Sequence, residues 1–178
     1  SICHGDPAAE LPAVAIALGA ELTACSQAGT RTIPVAEFYR GYYRNILEPD
    51  ELVSEVNFPA MLPGCGWSVV EISRRHGDLA LAGVASLVAF AGEEIDHVRI
   101  ACFGLGKAAH RLVDAESLLK GQRTSSELFQ EVASLVSSSV KPMDDSHASA
   151  EYRRALAAEL TQRSLFEAIE RAKQGAAS

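Results

Sequence analysis

Leu79-Ala-Leu-Ala-Gly-Val-Ala-Ser-Leu-Val-Ala-Phe90 is the stretch on which the fold turns. It is an apolar run with no charge, closed by Ala91-Gly92-Glu93-Glu94. A membrane-spanning helix needs about twenty such residues, so this run is too short for one and reads as a core strand. The Gly-containing closure predicts a hairpin into a second strand, His97–Gly104. Upstream, Trp67–Arg74 is a third strand candidate. Downstream, the apolar spacing becomes helical from Arg111. One helix is expected over about Val113–Lys120, stopped by Gly121, and a second from Ser125 or Ser126 to about Ser137. A third is expected over about Ser149–Lys173, broken near Thr161–Ser164, with Asp144-Asp145-Ser146 supplying capping oxygens. Strands followed by a block of helices define an α+β protein with an antiparallel sheet, not alternating βαβ units.

Toward the N-terminus the pattern is mixed. Asp6 is placed to cap a helix whose first turn takes Pro7 and Glu10 and which Gly19 ends. Glu21–Ser26, Arg31–Ile33 and Glu51–Phe58 read as strands, and Val35–Tyr39 as a short helix. Pro and Gly concentrate in residues 60–66, which are expected to form a linker between two subdomains.

Composition narrows the function. In 178 residues, 48% are hydrophobic, enough for a buried core. Sixteen basic residues against twenty-three acidic ones give a charge of −7, and no Lys/Arg cluster offsets it, which argues against nucleic-acid binding. Cys3, Cys25, Cys65 and Cys102 lie too far apart for an iron–sulfur or zinc motif and read as free thiols of a cytoplasmic protein.

No motif supplies a catalytic centre. Phe103-Gly104-Leu105-Gly106-Lys107 leaves a strand, but Ala109 stands where a dinucleotide-binding loop needs its third glycine, so the two glycines read as a turn. His4, Asp6 and Glu10 at a helix start read first as capping groups. Arg74, Arg75, His76 and Asp78 form a polar loop between apolar strands that could touch an anion or cofactor, or be a solvated hairpin. His97, His110 and His147 have no partner at metal-ligand spacing, and no nucleophile motif is present.

Four segments in order carry a resemblance: Ser1-Ile-Cys-His-Gly-Asp-Pro-Ala-Ala-Glu-Leu-Pro-Ala13, Gly41-Tyr-Tyr-Arg-Asn-Ile-Leu-Glu-Pro-Asp-Glu-Leu-Val53, Ser73-Arg-Arg-His-Gly-Asp-Leu-Ala80, and Ser149-Ala-Glu-Tyr-Arg-Arg-Ala-Leu156 with Arg163. Together they resemble the FAD-binding medium subunits of the xanthine dehydrogenase and carbon monoxide dehydrogenase (molybdenum hydroxylase) family. The resemblance implies the remnant of a second FAD-binding subdomain over residues 1–62, then a C-terminal domain of three antiparallel strands and a three-helix bundle over 63–178. It implies an oxidoreductase component that passes electrons from [2Fe–2S] clusters on a small subunit, fed by molybdopterin on a large subunit, through FAD to NAD or another acceptor. It implies cofactor-binding roles for Ser1, Glu10 and Val53, with His4 and Asp6 on the same loop.

Departures accompany it. Val70 stands where some relatives carry a Lys near the flavin, and Ala109 and His110 replace a common Pro. The A-G-G-[QH]-S loop and T-I-G-G turn that cradle the diphosphate do not occur in this sequence, so the chain alone is expected to hold FAD weakly or not at all. The alternative reading is a docking module of the same fold that binds no flavin.

Overall fold

The computed structural model describes residues 1–75 and 77–175; His76 of the polar loop lies outside them. The described residues form an α+β structure with five helices and antiparallel sheets. The run that decided the reading is β7 (Ala80–Ala91), buried along almost its whole length. It lies between β6 (Gly66–Ser73) and β8 (Glu94–Phe103). Gly92 and Glu93 make the turn, with Ala91 paired to Glu94, so β8 begins three residues earlier than its apolar pattern announces. A fourth strand not expected from sequence, β9 (His110–Arg111), extends the sheet beside Ala101 and Cys102. Two residues carry no periodicity. The edge is held instead by Glu116, which accepts from the Ile100 N–H at 2.9 Å and pairs with Arg111.

One face of this sheet is covered by α3 (Val113–Leu119), α4 (Ser126–Ser139) and α5 (Ala150–Gly175). Val84, Val88, Ile100 and Cys102 meet Leu119, Val136, Leu160 and Leu165 in a continuous core. Gly66 has no side chain because a Cβ there would overlap the Ala168 carbonyl and the Ala172 amide, which shows how closely β6 lies against α5. The break expected near Thr161–Ser164 does not occur. Thr161 donates its hydroxyl to the Ala157 carbonyl, and the Ser164 and Ser86 hydroxyls bond each other, so both polar side chains are satisfied inside the core.

The opposite face receives the N-terminal part. The helix α1 (Glu10–Leu18) packs Ala13, Ile16 and Ala17 into a second core shared with Leu22, Phe38, Ala85, Leu87, Ala101 and Phe103. Asp6 does not cap this helix; Ala9 occupies that position. Asp6 closes the turn before it, its Oδ1 accepting from the Ala8 N–H at 2.9 Å. A small sheet in the order β2 (Gly29–Pro34), β1 (Glu21–Ser26), β5 (Leu52–Asn57) flanks α1. The chain passes from β2 to β5 through α2 (Val35–Phe38) and a hairpin of β3 (Tyr39–Gly41) and β4 (Arg44–Asn45). Glu51 fixes the entry to β5. It accepts from Arg31 Nε and Nη2 at 2.6 and 2.7 Å and from the Glu48 N–H at 2.8 Å, and the Arg31 bond holds its carboxyl down to about 2.

Candidate functional site

A cleft of about 230 Å³ opens between the segments before α1 and before α5. One wall is the loop before α1 and the β3–β4 hairpin. The Tyr43 N–H donates to the Gly5 carbonyl at 3.1 Å, and the Tyr43 ring lies 5.0 Å from that of His4. Tyr43 sits at φ 54, a conformation disfavoured for a bulky residue, so the tight hairpin is what aims Tyr42 and Tyr43 into the cleft wall. Further bonds tie the loop down: Tyr39 Oη donates to the Ile2 carbonyl and Asn45 Nδ2 to that of Cys3.

The opposite wall comes from the β6–β7 connection, the end of β8 and the strap of residues 141–149 between α4 and α5. Arg153 joins them. Its Nη1 donates to the Leu81 and Gly104 carbonyls, its Nη2 pairs with Asp145 at 2.6 Å, and its Nε is buried without a partner. Asp145 also accepts from the His147 and Ala148 N–H groups. Burial opposes its ionisation, but those bonds and Arg153 together hold it down to about 2. Gly104 sits at φ 70 with the space for a Cβ only 2.9 Å from the Leu81 oxygen, and its N–H donates to the Pro7 carbonyl at 2.7 Å. The glycines after β8 therefore form a turn that joins three segments.

The structure brings Ser1, His4, Asp6 and Glu10 together on one loop and the helix it enters, and of these Asp6 lines the cleft. Val53 stands apart on β5. It is half-buried at the border of the second core, which Ile2 and Val14 also border, and no described contact ties it to His4 or Asp6. Val70 points into the helical core, so it is not on the α1 side of the sheet. Its neighbour Glu71 is on that side: burial first, then the charge of Glu10, raises its carboxyl above the usual range. Neither carboxyl has an ion pair among the described residues, while Val69 on the same face of β6 and Leu11 beside Glu10 are exposed. Sequence reading missed Glu71, Tyr42, Tyr43 and the Arg153–Asp145 pair as site residues. Tyr42, Tyr43 and Arg153 lie inside the quoted segments and Glu71 and Asp145 a few residues outside them, and spacing alone does not show that segments so far apart converge. Among the described residues no group of His, Cys, Asp and Glu is arranged to hold a metal, and no helix is long and apolar enough to cross a membrane.

Fold and site thus define an α+β protein with two cores on one sheet and a cleft walled by the loop before α1 and the strap before α5. Residues 67–168 match the family described as the CO dehydrogenase flavoprotein C-terminal domain, and residues 1–61 match the FAD binding domain in molybdopterin dehydrogenase. The chain belongs to this family of molybdenum hydroxylase medium subunits. It is 37% identical, over 97% of its length, to the 6-hydroxypseudooxynicotine dehydrogenase complex subunit alpha of Paenarthrobacter nicotinovorans, of which it covers 59%. It is 32% identical to the carbon monoxide dehydrogenase medium chain of Hydrogenophaga pseudoflava, over 92% of this chain and 57% of that one. A solved carbon monoxide dehydrogenase from H. pseudoflava superposes with a TM-score of 0.93 at 34% identity, over 96% of this chain and 59% of that chain. The chain therefore spans less than two thirds of the length of these relatives.

Proposed function

We propose that this chain is the part of a flavoprotein subunit that helps hold FAD and passes electrons from [2Fe–2S] clusters, through FAD, to NAD or another acceptor. Its partners in this reading are a molybdopterin-binding large subunit and a [2Fe–2S] small subunit, in the cytoplasm, where its four unpaired cysteines would stay reduced. The boundary between its two units falls near residue 62 in this reading.

The observation that carries the proposal is the setting of Glu10. Glu10 lies close enough to Glu71 for its charge to help raise the Glu71 carboxyl, neither has an ion pair among the described residues, and Leu11 and Val69 beside them are exposed. Such a surface suits a flat apolar ring system bearing N–H and hydroxyl donors, which is the character of a flavin with its ribityl chain. Ser1, Glu10 and Val53 would hold the group, and His4 and Asp6 would border it. When bound, it supplies the junction between single-electron carriers and a two-electron acceptor. The protein's own share is to fix the loop of residues 1–8 through Tyr39, Asn45 and Tyr43, to accept hydrogen bonds at Glu10, and to shield the ring from water at Val53. The acceptor would approach by the cleft, whose wall that loop forms.

The test is an absorbance spectrum after gel filtration with FAD, on the chain alone and on a full-length subunit. We expect flavin bands on the full-length subunit, little or no flavin on the chain alone, and weakened retention in Glu10→Ala. A full-length subunit that stays colourless would leave the docking-module reading in its place.

A further inference from the structure

We propose that a cavity between the outer edge of β8 and α3 binds the phosphate group of a small anion. The site shares no residue with the cleft before α1 and stands independently of the flavin reading.

The sheet edge supplies the first observation. Along the outer edge of β8, Ile95 bonds to Gly121 and Gln122, and Ile100 bonds to Leu112 and the Glu116 carboxylate. Val98 lies between them. It is two residues before Ile100 in an unbroken register with β7, so its N–H and C=O turn to the same edge as those of Ile100. No described segment pairs with Val98 there, and Val98 lines a cavity of about 300 Å³ at this gap. A backbone N–H left without a protein partner is open to water or a ligand.

Charge supplies the second. Arg99, Arg111 and Lys120 line the same cavity. Arg111 is spent on Glu116, but the side chains of Arg99 and Lys120 have no hydrogen bond or ion pair among the described residues. They stand against one unpaired carboxylate, the exposed Asp96. The His97 ring registers the imbalance. Burial first, and then the charge of Arg99, holds it below its usual range; Lys120 adds to this, and Asp96 and Glu116 oppose it.

The three donors do not share a plane. The Val98 N–H lies in the sheet. Arg99 is on the α1 side, its guanidinium so near the end of α1 that a Cβ at Gly19 would overlap it. Lys120 comes from the end of α3, on the helical side. A tetrahedral phosphate presents oxygens in three such directions, whereas a carboxylate presents two in one plane. The volume exceeds that of a phosphate alone and stands at the lower end of the ~300–1,000 Å³ typical of small-molecule sites, which leaves room for a short esterified chain.

The experiment is calorimetric titration of the full-length subunit with inorganic phosphate and, separately, with glycerol 3-phosphate, at constant ionic strength. His97 is followed on the same samples by NMR of ring-labelled histidine. We expect saturable binding, about tenfold weaker in Lys120→Gln, as loss of one charge-assisted hydrogen bond implies. Arg99→Gln should weaken it similarly, and its melting temperature without ligand reports any loss of packing on α1. Lys120 is exposed, so its variant tests the site without that complication. Bound phosphate offsets Arg99 and Lys120, so His97 should titrate at higher pH in the complex. Tighter binding of glycerol 3-phosphate assigns the site to an ester, and equal binding assigns it to free phosphate; both support the inference. No saturable binding, unchanged affinity in Lys120→Gln, or a His97 titration that does not move would each overturn it, the last two leaving an adventitious ion only.

Discussion

Arg153 gathers three segments with one guanidinium: the start of β7 through Leu81, the turn after β8 through Gly104, and the strap through Asp145. Arg153→Ala removes the donors to both carbonyls and leaves Asp145 without its cation. Since Asp145 is half-exposed and water can replace part of the pair, we expect a loss of about 2–4 kcal/mol, read from urea unfolding. Arg153→Lys should recover only part of it, because an ammonium cannot span the same fork. The sequence shows Arg153 and Arg154 as equivalent neighbours, yet the first is 7% exposed and the second only partly buried. Helical phase decides between them, and phase becomes readable only when the face of α5 that meets the sheet is known. Asp6 teaches the converse. It was expected to cap α1, but the chain makes a turn before the helix and Asp6 closes that turn instead, leaving Ala9 at the cap position.

At the level of elements, the strap of residues 141–149 depends on an ionised Asp145. Its folded carboxyl is held down to about 2 from an ordinary value of 3.8, so its contribution is present above the ordinary value and disappears as pH falls through the folded one. Between about pH 4 and pH 2 the strap should loosen from α5. Comparing the acid titration of wild type with that of Asp145→Asn by near-ultraviolet circular dichroism checks this: the variant should lack the Asp145-dependent part of the transition. The three long strands of the main sheet and all three C-terminal helices were legible in the sequence, because each is long enough to express a period or a continuous apolar run. The pieces of two or three residues, β3, β4 and β9, were not. They exist because neighbours hold them, as Glu116 holds the edge beside β9, and a local pattern cannot report that.

Across the whole molecule, the second core is built from both halves of the chain: Ile16 and Phe38 of the first part bury against Leu87 and Phe103 of the second. Each such side chain contributes about 1.5–3 kcal/mol when fully buried. Residues 1–62 made alone would lose the wall that β7 and β8 give that core. We expect that fragment to show no cooperative thermal transition, while the whole chain unfolds with near- and far-ultraviolet circular dichroism changing together. Composition spoke for a buried core but could not show that one sheet serves two. Along β7, Val84 and Val88 face the helices while Ala85 and Leu87 face α1, so the strand is a wall with tenants on both sides. Such a wall constrains how the protein can diverge. An enlarged side chain on one face shifts the strand into the other room, so accepted changes in the two cores should arrive in compensating pairs across β7 rather than independently.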